Sequence, residues 1–194
     1  AVPVAPIGRR QVRIRNIVEL LAKAETACLL LDDSMTGLFG AELLEALGPL
    51  GMRCTEFAEL QRHLQPVEPM AVAAADLAVL QFTSGTVNTP KGVMITHGNI
   101  LADETIIRRA FGHDCNSHFV GWVPHYHDQG LFGNILQPLF LGATCVLTAP
   151  TAFVNRPMLW LELISRYRAH TSGGPNFGYD LCANYAERRG TPEL

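Results

Sequence analysis

The chain has 194 residues, 48% of them hydrophobic and 17% charged, with a formal net charge of -3. That is enough apolar material for a real core and argues against disorder. The absence of a basic field argues against nucleic acid as a partner.

The opening "AVPVAPIGRR" has no initiator Met and reads as the inside of a strand or loop, and the closing "RRGTPEL" follows directly on a helical pattern. Both ends read as cuts, so the expected organisation is one partial domain over 1–194 of a larger enzyme. "ACLLLDD" (27–33) predicts a buried strand ending in acids. "GLFGAELLEALGPLG" (37–51) has apolar residues at helical spacing and stops at Gly and Pro. "MRCTEF" (52–57) reads as the next strand and "RHLQPVEPM" (62–70) as a surface linker. "DLAVLQFTS" (76–84) and "GVMIT" (92–96) read as strands on either side of a loop. Thr96 is a candidate N-cap for a helix over 97–112, with Ile100, Leu101, Ile106 and Ile107 as its apolar positions.

Further on, "HFVGWV" (118–123) predicts a strand that ends at Pro124. "DQGLFGNILQPLFLG" (128–142) predicts a helix and "ATCVLTA" (143–149) a strand. "NRPMLWLELISRYRAH" (155–170) predicts an amphipathic helix with Pro157 near its start. "TSGGPNFGYDLCANYAERR" (171–189) reads as a short strand, a Gly turn and a last helix. Strands alternating with helices imply an α/β fold with a largely parallel sheet flanked by helices.

The cysteines (Cys28, Cys54, Cys115, Cys145, Cys182) are odd in number and form no Cys-x-x-Cys pair. This argues against a disulfide framework and fits a reducing cytoplasm. "GLFGNILQPLFLGATCVL" is broken by Gly, Asn, Gln and Pro, so no run is long enough to span a bilayer.

The loop "TSGTVNTPKG" (83–92) concentrates small, hydroxylated and turn-forming residues beside one lysine. Backbone N–H groups of a Gly-rich turn form a nest for an anion. Thr83, Ser84 and Thr86 add hydroxyl donors, Gly85 a close backbone approach, and Lys91 a full positive charge. Together these could hold a polyphosphate; the competing reading is a solvated hairpin connection explained by turn chemistry. The loop is not a Walker A sequence, because Pro90 stands where its second Gly would be and Gly92 where its hydroxyl would be.

The order Thr-Ser-Gly-Thr, Thr-Pro-Lys-Gly-Val, Thr-His-Gly-Asn resembles the phosphate-loop signature of adenylate-forming enzymes: acyl-CoA synthetases, peptide-synthetase adenylation domains and luciferases. Val87 departs from that signature by one missing hydroxyl, and Asn88 stands where Gly is common. A lost hydrogen bond to a charged group is worth roughly 1.5–3 kcal/mol. A second stretch, "PHYHDQGL" (124–131), fits the family's Pro-x-(Phe/Tyr)-His motif through Pro124, Tyr126 and His127. Its extension through Asp128 and Gly130, with "LQPL" beyond, is similar to the fatty acyl-AMP ligase branch, as is 156–182.

The resemblance covers nearly the whole chain and implies part of the large N-terminal domain of such an enzyme. It implies attack of a fatty acid carboxylate on ATP, with Mg²⁺, and transfer of the acyl group to an acyl carrier protein. Thr83, Ser84, Gly85, Thr86 and Lys91 would bind the phosphates, with Lys91 and His127 as the catalytic residues. Tyr126, His127, Asp128, Gly173, Gly174, Pro175 and Phe177 would line the acyl site. The family's adenine-binding motif and catalytic C-terminal Lys are expected further along such chains, so the piece alone is expected to be inactive. The alternatives are a fatty acyl-CoA ligase, or a non-catalytic fragment that binds an acyl chain or a partner. A metal site at His125, His127 and Asp128 is disfavoured, since adjacent residues share no face and no third ligand is evident. Trp122, Phe153 and Trp160 read as core. His97 and Asn99 read as structural support of the loop. Leu131, Phe132 and Ile135 suit a tunnel or a core equally.

Overall fold

Ile14, Ile17, Val18 and Leu21 recur at i, i+3, i+4 and i+7, which lays one apolar stripe along α1 (Arg10–Lys23). In this computed structural model the described residues are 10–32, 41–62, 65–83 and 91–191. The chain divides into two compact units, 2–97 and 98–194. No element is expected over 10–23 in the sequence reading, although the spacing of Ile14, Ile17, Val18 and Leu21 is helical.

In the first unit, β1 (Cys28–Leu31) pairs in parallel with β2 (Arg53–Glu56). The crossover contains α2 (residues 41–47) and a 3-10 turn at Gly48–Leu50. Gly51 ends that turn at φ 62, a left-handed conformation that suits glycine. Ile14, Ile17, Leu31, Leu43 and Leu47 form the core. The predicted strand over 52–57 stops one residue early, since Phe57 opens α3 (Phe57–Arg62). Residues 65–70 are exposed and without regular structure, as the linker reading requires. β3 (Leu77–Thr83) and β4 (Lys91–Thr96) form an antiparallel hairpin, with an irregularity between Leu77 and Val79.

In the second unit, α4 (His97–Phe111) begins directly after Thr96. Its phase differs from the one expected from its apolar residues. Leu101 and Ile106 are exposed, while Ile100 and Ile107 are half-buried and Glu104, midway between them, is fully buried. An acid sits at the centre of the inward stripe.

β5 (His118–Gly121) is the middle strand of a parallel sheet ordered β6 (Thr144–Leu147), β5, β7 (Thr171–Ser172). The helix expected over 128–142 is two helices: a π-helix, Gln129–Leu136, followed by α5 (Gln137–Leu141). The N–H of Gln137 reaches back to the carbonyl of Phe132, and Pro138 has no N–H to offer an α-helical ladder. The helix expected over 155–170 starts later, at Met158, and a separate short helix that the sequence reading does not expect precedes it. Pro157 separates α6 (Pro150–Asn155) from α7 (Met158–Tyr167), and Arg168 ends α7 at φ 47. α8 (Asn176–Arg189) closes the unit. Trp122, Phe153 and Trp160 sit in the core, as their apolar context predicts. Trp122 stacks on Phe153 with ring centroids 3.8 Å apart, and Trp160 meets both edge-on. Parallel pairs in both units and helices between strands make the chain α/β; only the β3–β4 hairpin is antiparallel among the described pairs.

Candidate functional site

Parallel strands deliver their following loops to one sheet edge, and open α/β sheets place ligand sites at the carboxyl ends of strands. In the second unit that edge carries residues 122–128 after β5, Thr148 after β6 and Gly173–Pro175 after β7. The N–H of Thr148 donates to the Gly121 carbonyl at 2.9 Å, which ties β6 to β5 at this edge.

The Pro124–Asp128 turn is held by its backbone. The N–H of His127 donates to the Pro124 carbonyl at 2.9 Å, and the N–H of Leu131 to the His127 carbonyl at 2.9 Å. Gly130 lies directly on the Pro124 carbonyl, so any side chain there would strike backbone. This fold-back makes the residues after Pro124 a rigid shelf on the π-helix.

On that shelf, His127 Nδ1 lies 2.6 Å from Asp128 Oδ1. The same carboxylate oxygen caps the π-helix by accepting from the Gln129 N–H at 2.6 Å. The Gln129 N–H is thereby satisfied, so its longer 3.3 Å approach to His127 Nδ1 is secondary. Nδ1 therefore carries the proton it shares with Asp128, and Nε2 is the ring nitrogen left for a ligand. His127 and Asp128 remain 51% and 67% exposed, and Tyr126 and Phe177 are exposed as well.

The opposite side is the Gly173–Gly174 turn. A Cβ on Gly173 would sit 3.2 Å from Gln129 Nε2, and one on Gly174 would sit 2.7 Å from the Trp122 ring. Gly178, in the first turn of α8, is as close to Trp122, and Phe177 meets that ring edge-on at 5.7 Å. The two predicted groups, Tyr126, His127 and Asp128 on one side and Gly173, Gly174, Pro175 and Phe177 on the other, follow neighbouring strands, and the contacts between their segments run through two other residues. Gln129 is one that the motif reading passed over; its only signal was its place between Asp128 and the obligatory Gly130. Trp122 is the other, and it acts from within the core. Its Nε1–H is buried with no partner among the described residues.

In the first unit, the β3–β4 register pairs Thr83 with Lys91, so the predicted phosphate loop is closed at its base by two paired backbone positions. Lys91 is exposed. Ser84, Gly85 and Thr86 lie outside the described residues, as do Val87, Asn88 and Pro90. Among the described residues no three His, Cys, Asp or Glu side chains are grouped as metal ligands, and no helix is long and apolar enough to cross a membrane.

A family model described as AMP-binding enzyme matches residues 10–192. The chain is 53% identical over 117 residues to the medium-chain-fatty-acid–acyl-carrier-protein ligase TtuA of Teredinibacter turnerae, over 60% of this chain and 18% of that one. A solved chain from work on fatty acyl-adenylate ligases of E. coli and L. pneumophila superposes with a TM-score of 0.83 at 30% identity, covering 97% of this chain and 33% of its own. The L. pneumophila fatty acyl-adenylate ligase in complex with acyl adenylate and pyrophosphate superposes at 0.72, with 30% identity and shares of 97% and 32%. The chain thus spans about a third of the length of these solved relatives.

Proposed function

The chain belongs to the AMP-binding enzyme family, and from that premise we propose that it is an internal part of the N-terminal domain of a fatty acyl-AMP ligase. In this reading a fatty acid carboxylate attacks the α-phosphorus of ATP, giving acyl-AMP and pyrophosphate. ATP enters as its Mg²⁺ complex. Thr83, Ser84, Gly85, Thr86 and Lys91 hold the phosphates. Their task is electrostatic: charge moves to the leaving pyrophosphate, and a fixed cation with fixed donors stabilises it without reorganisation.

His127 acts at the carboxylate. Asp128 fixes its ring and tautomer and leaves Nε2 as the nitrogen available to the substrate. Tyr126 and Phe177 supply aromatic surface, and Gly173, Gly174 and Pro175 let the acyl chain pass close to backbone. The acceptor is an acyl carrier protein, a reading supported by the name of the Teredinibacter turnerae relative. The observation that carries the proposal is the contact of the His127 shelf with the Gly173–Gly174 turn at one sheet edge, made through Gln129 and Trp122.

The test is pyrophosphate release by the full-length protein with fatty acid and MgATP. Release is expected to require fatty acid and to fall by about 100-fold or more in Lys91→Ala, the scale for losing one donor to developing charge. Release that Lys91→Ala leaves unchanged would remove the assignment of the loop.

A further inference from the structure

Behind the β7 edge lies a chain of buried polar side chains that the proposed reaction does not use. Glu104 on α4, Gln137 at the start of α5 and His113 after α4 are 1%, 0% and 5% exposed. In the orientation that satisfies both ends of its amide, the Gln137 nitrogen donates to the Glu104 backbone carbonyl at 3.1 Å and to Glu104 Oε2. The other end of the amide lies 3.5 Å from His113 Nδ1. His113 Nε2 is 2.6 Å from Thr171 Oγ1. These contacts fix the hydrogens in one direction. Gln137 gives its N–H groups to Glu104, so its oxygen faces His113 and Nδ1 carries the imidazole proton. Nε2 then accepts from the Thr171 hydroxyl. Three donors in a row point toward one buried carboxyl group.

Thr171 is half of a strand only two residues long, paired with β5 at Phe119 and Val120. So short a strand is set mainly by its side chains. Ser172 is held by Trp160 Nε1–H at 2.6 Å and donates to the Val120 carbonyl at 2.6 Å. Thr171 is held by the buried chain. The next two residues are Gly173 and Gly174, whose backbones lie against Gln129 and Trp122. Neither glycine can anchor itself through a side chain.

We propose that Glu104, Gln137 and His113 are positioning residues that act through Thr171 to fix the Gly173–Gly174 turn against the acyl site. The inference rests on the proposed acyl-binding role of that turn. The chain touches no substrate; it sets the entry point of the turn from behind the sheet.

The test compares Thr171→Val, which keeps the shape and removes the hydroxyl, with Thr171→Ser, which keeps the hydroxyl. Backbone amide exchange at Gly173 and Gly174 is measured by NMR on the full chain without ligand. Thr171→Val is expected to speed it about tenfold, the loss of one net hydrogen bond, while Thr171→Ser stays near wild type. In the full-length protein, Thr171→Val is expected to raise KM for the fatty acid and leave KM for ATP and kcat near wild type. Unchanged exchange in a folded Thr171→Val variant overturns the coupling, as does equal behaviour of the Val and Ser variants. Faster exchange with an unchanged fatty acid KM overturns the substrate-positioning role. Because the exchange measurement needs no turnover, a wild-type protein that releases no pyrophosphate tells against the proposed reaction alone.

Discussion

Replacing Glu104 by Gln should flatten the pH dependence of stability. Glu104 is 1% exposed, and burial, reinforced by the neighbouring Asp103 charge, pushes its carboxyl from 4.5 up to about 7. One oxygen accepts from Gln137 and the other, Oε1, has no partner among the described residues. Between these two values the folded chain keeps a proton that the unfolded chain has released. The folded state binds more protons there, so stability is fully present below pH 4.5 and falls as pH rises through about 7. The shift is about 2.5 pH units (7 minus 4.5), which at 1.36 kcal/mol per unit is about 3 kcal/mol. An amide at this position stays neutral throughout, so Glu104→Gln should lose that slope. Other groups also titrate, including His113 on the far side of Gln137. The informative quantity is therefore the difference between wild type and Glu104→Gln, each unfolded with urea at pH 5 and pH 8. Wild type should lose about 2.5 kcal/mol more than the variant across that interval, because pH 5 already lies above the unfolded value of 4.5. Identical pH dependence in the two proteins would mean that Glu104 is not a proton-holding buried acid, and the reasoning would fail.

The remaining predictions concern geometry that single substitutions and chemical probes expose. Gly130→Ala should destabilise by about 1–3 kcal/mol in urea unfolding, since its methyl group would strike the Pro124 carbonyl, a backbone atom that cannot rotate away. His113 should remain neutral below the ordinary histidine value of 6.5, because burial first and His170 second lower its pKa, and nitrogen-15 NMR should show its proton on Nδ1. A proton on Nε2 would reverse the hydrogen-bond direction read here. With a thiol alkylating reagent at neutral pH, Cys28 and Cys115 should label first because both are exposed. Cys145 should lag, since burial raises its thiol to about 11 and leaves little thiolate, and mass spectrometry of the peptides would show the order.

What the sequence discloses here is what short spacing can carry. The hairpin, the strand that opens at His118 and the His127–Asp128 pair each lie within a few consecutive residues, and their order alone identifies them, although that strand ends at Gly121, short of the expected Pro124. Helix phase is less accessible. Ile100, Leu101, Ile106 and Ile107 suggest an apolar face on α4, yet the inward position is Glu104, because its partner Gln137 lies 33 residues further along the chain (137 minus 104). No periodicity predicts an acid that is buried by virtue of a distant amide. The π-helix was hidden for a related reason: its apolar residues suit an α-helix, and only the missing N–H of Pro138 and the widened Gln137-to-Phe132 bond mark the difference. Trp122 shows how the two kinds of information meet. Its apolar neighbours place it in the core, and the structure agrees, but Gly174 and Gly178 are glycines because that ring leaves them no room. A core residue therefore shapes the turn that the motif assigns to substrate. A polar chain ending at Glu104 holds the strand from which that turn departs. The surface motif and the buried chain meet at β7, two residues that a reading of hydrophobic pattern alone would scarcely notice.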